Sequence, residues 1–368
     1  MMNKHMFMMR LLPLSFILLL LSGCGEERLT ALDPYGPQAE WILDNLILSL
    51  YVMAVVIIVV FALYFIAVVK FRRKPGDNEY PKQVEGSKAL ELTWTIIPLF
   101  LLAILAVPTI TGTYYFADTT PQAAGSSGEG EGEGVSINVT GHQYWWQFDY
   151  EDGFTSGNEV YIPVGEKVEF TLTAEDVIHS FWVPALGGKI DAIPGIENQL
   201  WLEADEPGIY KGKCAELCGP SHALMDFKVV ALERDEYNSW VETMASEPAE
   251  PEENTTASEG RQVFEDQGCI GCHAVGGQGT AQGPTLTNFA DRETIAGVVE
   301  YNEENLEAWI RDPQSFKQGN NMQAYPDMED QDMDALLEYL ASLEVEQPAL
   351  GRQVETDGSD RIEEPQNE

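Results

Sequence analysis

The chain has 368 residues, 60 acidic and 21 basic, for a net charge of −39. That balance excludes a nucleic-acid partner and leaves either a cationic partner or a strongly solvated surface, such as one kept soluble in a salty medium. The length allows two or three domains, and the five cysteines, at 24, 214, 218, 269 and 272, all fall in short motifs rather than in a disulfide framework.

Residues 1–23 read as an export signal. Lys4 and Arg10 precede the apolar run Leu11 to Leu21, and Ser22 and Gly23 are small. The ending Leu21-Ser-Gly-Cys24 resembles a bacterial lipoprotein cleavage site, which predicts Cys24 as the lipidated first residue of the mature protein. The other reading is an ordinary signal with an incidental cysteine. The segment 24–118 then holds two membrane spans. Between Asp44 and Lys70 lie 25 uncharged residues, and between Glu91 and Asp118 lie 26. About 20 suffice to cross a bilayer. Helices are predicted at about 44–70 and 91–117. Six of the 21 basic residues (Lys70, Arg72, Arg73, Lys74, Lys82 and Lys88) crowd the loop between them, which puts that loop in the cytoplasm. Pro98 and Pro108 are tolerable in a membrane helix whose neighbours satisfy the freed carbonyls.

Residues 119–134 form a Gly/Glu-rich flexible tether. From Val135 to Met244 the pattern changes to short strands. Ser136-Ile-Asn-Val-Thr alternates, as does Lys167-Val-Glu-Phe-Thr-Leu-Thr, with Gly and Pro between. That predicts an all-β sandwich or barrel with its loops at the ends.

Within it, Cys214-Ala-Glu-Leu-Cys-Gly-Pro-Ser-His-Ala-Leu-Met225 places two thiols, an imidazole and a thioether in twelve residues. His179, ending the strand-like run Val168 to Ile178, offers a second imidazole. Soft sulfur with imidazole suits copper, yet a one-copper site uses a single Cys with two His and a weak Met. Two thiolates bridging two coppers resolve the count: each metal sees both sulfurs and one of His179 and His222. Met225 and a backbone carbonyl, most simply that of Glu216, are the weak donors. A Cys214–Cys218 disulfide and a zinc site are the competing readings, the second disfavoured because Met is a poor zinc ligand.

Asp235 to Met244 predict a short helix, and 245–257 a polar linker. The domain 258–345 is predicted to be all-α. It opens with the helix Glu259 to Gln267 and Cys269-Ile-Gly-Cys-His273, a C-x-x-C-H haem attachment motif: both thiols form thioethers and His273 binds the iron. A chance match or zinc knuckle is the alternative. Leu306 to Asp312 and Asp330 to Leu343 predict two further helices. Met322, Met328 and Met333 are candidates for the sixth ligand. Met333 lies on a helix, where Met more often packs a core, which leaves Met322 and Met328. Residues 346–368 read as an acidic disordered tail.

Three motifs resemble subunit II of haem–copper oxidases: the C-x-E-x-C-x3-H-x2-M spacing, Asp176-Val-Ile-His-Ser-Phe-Trp-Val-Pro-Ala-Leu-Gly-Gly-Lys-Ile-Asp191, and Gly141-His-Gln-Tyr-Trp-Trp-Gln-Phe-Asp-Tyr150. With the haem motif, the chain resembles a cytochrome c oxidase subunit II with a fused C-terminal cytochrome c. The resemblance implies a two-helix membrane hairpin, a cupredoxin-like domain with a binuclear CuA site and a class I cytochrome c domain. It also implies an enzyme subunit that accepts electrons from an external cytochrome c or similar donor. Haem c passes them to CuA, and CuA to the catalytic subunit I, where O2 is reduced and protons are pumped. Subunits I and III are the implied partners, and the exported domains lie outside a bacterial inner membrane.

The resemblance also implies roles for single residues. Pro284, in Gly283-Pro-Thr-Leu286, would accept a hydrogen bond from the His273 ring. The run Trp309 to Met322 looks like the family's approach to its iron ligand, although Gln323 stands where Pro commonly follows. Glu216 would turn its side chain to a magnesium shared with subunit I; a solvated loop acid is the plain alternative. Glu91 would sit near a proton-uptake path, or simply anchor a helix at the interface. Tyr144, with Trp145 and Trp146 behind it, matches the family's surface aromatic for electron transfer. Such a run is otherwise β-barrel core, and strand alternation would put Tyr144 and Trp146 on one face. A CuA-bearing nitric-oxide reductase subunit is the alternative function. A nitrous-oxide reductase would need a further histidine-rich domain, a copper carrier would not need haem, and the intact copper ligands exclude a quinol oxidase.

Overall fold

The computed structural model describes residues 28–72, 76, 80, 83, 85–123, 134–246, 251–280 and 282–345. The export signal with Cys24, most of the basic loop, the tether from 124 to 133 and the acidic tail lie outside the described residues.

Two long helices lead, α1 (Pro37–Lys70) and α2 (Lys88–Ala117). The apolar windows of both have no buried residue, as two lipid-facing spans require. At 34 residues, α1 is about 51 Å long, against roughly 30 Å of hydrocarbon. It starts seven residues before the predicted 44, for two reasons. Pro37 takes the first helical turn, where its missing N–H is harmless. The turn also packs on the β domain: Ala39 is buried, and Gln38 Nε2 donates to the Trp201 carbonyl at 2.6 Å. Trp41 stacks on Tyr115 of α2 with centroids 5.5 Å apart, and Tyr115 meets Trp201 edge-on at 5.4 Å. Ahead of α1, Arg28 lies between the rings of Tyr35 and Tyr210, 5.4 and 5.2 Å from their centroids. Tyr35 also bonds through its backbone to Ala185 and Asp205. The hairpin and the β domain are thereby strapped together.

Ten strands build that domain: β1 (Ser136–His142), β2 (Trp145–Tyr150), β3 (Thr155–Gly157), β4 (Glu159–Pro163), β5 (Val168–Ala174), β6 (His179–Trp182), β7 (Lys189–Ala192), β8 (Asn198–Leu202), β9 (Gly208–Cys214) and β10 (Asp226–Leu232). They form two five-stranded sheets, ordered β3-β2-β1-β5-β8 and β4-β10-β9-β6-β7. Strands β2, β5 and β9 alternate strictly between buried and half-buried residues, so one side of each faces the shared core. Trp146, Phe148, Phe170 and Phe181 are fully buried there, and Phe181 stacks on Phe227 at 4.5 Å. The helix α3 (Arg234–Ala245) closes the core, with Trp240 stacked on Tyr161 at 4.1 Å.

The C-terminal domain holds α4 (Thr256–Asp266), α5 (Glu303–Arg311), α6 (Pro313–Phe316) and α7 (Asp330–Ala341), with two two-residue strands, β11 (Thr294–Ile295) and β12 (Val299–Glu300). Helices α4 and α5 begin three residues before their predicted starts because polar caps lie upstream of the apolar positions. The Thr255 side chain accepts from Ser258 N, and that of Asn302 from Asn305 N. Gly260 lets α4 cross α7 backbone to backbone: a Cβ there would lie 1.8 Å from the Ala335 carbonyl oxygen. The domain sits against the β domain, where Lys228 of β10 pairs with Glu293.

Candidate metal centre and haem crevice

Strands β6, β9 and β10 are neighbours. Their antiparallel register brings the start of β6, the end of β9 and the start of β10 to one end of the sheet. His179 is the first residue of β6, Cys214 the last of β9, and Met225 immediately precedes β10. A rigid sheet thus aims donors from three places in the sequence. The Sγ atoms of Cys214 and Cys218 lie 3.9 Å apart, too far for a disulfide bond. His179 Nδ1 is 3.9 Å from Cys214 Sγ, and His222 Nδ1 is 3.7 Å from Cys218 Sγ. Met225 Sδ is 3.9 Å from Cys218 Sγ, and the Glu216 carbonyl 3.3 Å from Cys214 Sγ. Tetrahedral bonds of about 2.0–2.3 Å put ligand atoms roughly 3.3–3.8 Å apart, so these separations fit metal binding. The donors of His179, Cys214 and Cys218 lie within 4.8 Å of one another, and all three residues are buried. The Glu216 side chain points to solvent.

The thiols are unequal. The contact with Cys218 pushes the Cys214 thiol below the usual range, and the same contact, with burial, pushes Cys218 above it.

Two supporting residues were missed by sequence reasoning. Asp176 lies 2.8 Å from His179 Nε2 and also accepts from the backbone N–H groups of Val177 and Gln143. Gln143 Nε2 donates to the Cys218 carbonyl at 2.5 Å. An acid three residues before a ligating histidine was the available signal.

In the C-terminal domain, Cys269, Cys272, His273 and Met322 line a cavity of 1460 Å³ that continues between the two domains. His273 Nδ1 donates to the Pro284 carbonyl at 2.7 Å, leaving Nε2 as the free ring nitrogen. Burial lowers the His273 pKa, which favours the neutral ring. Gly283 is required there, because a Cβ would lie 2.8 Å from the ring. Arg292, buried and lining the same cavity, uses Nη2 on Thr285 O and Asn288 Oδ1. Its Nε has no protein partner, a leftover donor that fits a haem carboxylate. Met328 and Met333 are not among the lining residues, and Met333, 1% exposed, packs the domain core.

The aromatic run differs from the surface platform expected of Tyr144. Tyr144 is 3% exposed, because Lys317 of the haem domain covers its backbone and Gly319 approaches its hydroxyl. Tyr144 sits in the turn ahead of β2 rather than on the strand. Trp146 is core, and Trp145 stacks on His142 at 4.3 Å. Glu91 is exposed in the first turn of α2.

Family models match three stretches: "Cytochrome C oxidase subunit II, transmembrane domain" over 33–111, its "periplasmic domain" over 153–232, and "Cytochrome c" over 257–344. Cytochrome c oxidase subunit 2 of Alkalihalophilus pseudofirmus is 69% identical, over 91% of this chain and 97% of that one. This chain belongs to the cytochrome c oxidase subunit II family. The Bacillus sp. PS3 subunit is 45% identical over 94% of this chain and 100% of its own. Quinol oxidase subunit 2 of Bacillus cereus is also similar, at 34% over 63% of this chain and 77% of that one. Membership makes the chain a membrane-anchored subunit of an oxidoreductase complex, with copper and haem c as the cofactors its domains suggest. The predicted three-part architecture is the observed one. The comparisons favour an oxidase over a nitric-oxide reductase.

Proposed function

We propose that the chain delivers electrons one at a time from an external donor, through the haem domain and then the cupredoxin-like domain, to the haem–copper subunit I. When bound, haem c and a two-copper centre supply reversible one-electron transfer without bond making. The residues keep that transfer cheap. Cys214, Cys218, His179 and His222 would hold the two coppers, with Met225 and the Glu216 carbonyl as the weak donors. Asp176 and Pro284 hold the His179 and His273 rings still. Cys269 and Cys272 would attach the haem, and His273 and Met322 would hold its iron. The Glu216 side chain, exposed on the copper loop, would supply a carboxylate to a magnesium shared with subunit I. Glu91 serves a proton-uptake path at the cytoplasmic edge. Subunit III completes the complex, Cys24 carries a lipid anchor, and the exported domains lie outside the cell membrane.

The observation that carries this reading is the single cavity bordered by both domains, with the haem motif on one wall and His142 to Trp145 on the other. Metal and haem analysis of the full chain, expressed without its partners, tests it. Two coppers and one covalent haem are expected; a single copper per chain refutes the binuclear centre.

A further inference from the structure

The loop from Pro313 to Met322 is stapled to itself. Gln314 Oε1 accepts from Gly319 N at 2.8 Å, and Gln314 Nε2 donates to Asn320 O at 2.8 Å. Asn320 Nδ2 donates to the Pro313 and Lys317 carbonyls, and its Oδ1 accepts from Met322 N at 2.8 Å. Lys317, Gln318 and Met322 therefore share one frame.

From that frame two groups reach the cupredoxin-like domain. Lys317, 3% exposed, donates from Nζ to the Tyr144 carbonyl at 2.9 Å. The Gln318 carbonyl accepts from Ser221 Oγ at 2.8 Å, and Ser221 is 2% exposed. One contact lands on the copper loop, the other on the β1–β2 turn that braces it. Ser221 directly precedes His222. Tyr144 follows Gln143, whose side chain holds the Cys218 carbonyl. A buried ammonium is costly unless hydrogen-bonded. Lys317 is also one of only four basic residues among 17 acidic ones in 257–344, so a cation here has little competition for this position.

We propose that Lys317 is the latch that docks the haem domain in one register on the cupredoxin-like domain. The Ser221–Gln318 hydrogen bond is then a bonded link for the electron between the loop carrying Met322 and the ligand His222. Both are positioning roles, and they rest on the electron-delivery reading. A tether alone supplies concentration, roughly millimolar. The latch supplies orientation.

The test uses the intact complex with Lys317→Met and Ser221→Ala. Hydrogen exchange reads docking, and flash-induced reduction reads internal transfer. In Lys317→Met, amide protection at 142–146, 219–222 and 317–322 should fall together by roughly 10- to 100-fold, as loss of a charge-assisted hydrogen bond implies. Internal transfer should slow and become sensitive to viscosity, with both metal spectra unchanged. Ser221→Ala should keep the protection and slow transfer several-fold. Unchanged protection in Lys317→Met overturns the latch, as does loss of the Met–iron absorption band, which would mean that Lys317 only shapes its own loop. Unchanged transfer in Ser221→Ala overturns the link. Failure of the electron-delivery reading would look different: no internal transfer in the parent, with protection still responding to Lys317→Met.

Discussion

His179 Nε2 lies 2.8 Å from a carboxylate oxygen of Asp176. A carboxylate only accepts, so Nε2 carries the proton and Nδ1 turns its lone pair toward Cys214. Asp176→Asn removes the charge that fixes this tautomer. Copper affinity should fall by about 10- to 100-fold, as measured by competition with a chelator of known affinity. An unchanged affinity would mean that the sheet alone orients the ring.

Cys214→Ser tests the shared-thiolate geometry. With one bridging sulfur replaced by a poor copper donor, the delocalised two-copper signal should vanish from the electron paramagnetic spectrum. The covalent haem should remain. A mutant that keeps the signal would remove Cys214 from the ligand set.

Two methionines of the haem domain should respond in opposite ways. Met322→Ala should lower the haem potential, because a Met ligand raises it, with little change in melting temperature. Met333, 1% exposed in the core, touches no cavity wall. Met333→Ala should cost about 2–5 kcal/mol of stability and leave the potential alone. Potentiometry and thermal unfolding of both variants decide the assignment.

Asp291 gives a pH dependence of defined sign. Burial first, then Glu344 and Glu159, push it up to about 7, against the Val345 amide and Arg292. Its ordinary value is about 3.9. The folded state therefore holds the proton more tightly than the unfolded chain. Stability should fall as pH rises from about 4 to about 7 and then level off. In Asp291→Asn that slope should flatten, with the variant gaining on the parent at pH 8 but not at pH 4. Melting temperatures across that range check it, and equal slopes in both proteins would exclude Asp291 as the source.

Much of the site was legible because its chemistry rests on rare residues at short spacing. Cys214, Cys218, His222 and Met225 sit within twelve positions, and Cys269, Cys272 and His273 within five. The spans were legible because lipid demands a long uncharged run. Contacts made by folding left no such trace. Lys317 and Tyr144 are 173 positions apart, and neither stands out from its neighbours. The early start of α1 was hidden for a similar reason: Gln38 is polar, and only its bond to Trp201 explains its burial. Strand alternation also misplaced Tyr144, because the turn before β2 does not obey the period of a strand.

The burial of Tyr144 makes access to that face of the cupredoxin-like domain a matter of occupancy rather than affinity. While Lys317 rests on the Tyr144 carbonyl, a protein arriving from solution finds that surface taken. On the proposed electron route, it would have to reduce the resident haem first or wait for that domain to swing away. Every electron would then follow one queue, with the traffic set by how often the resident domain is recharged.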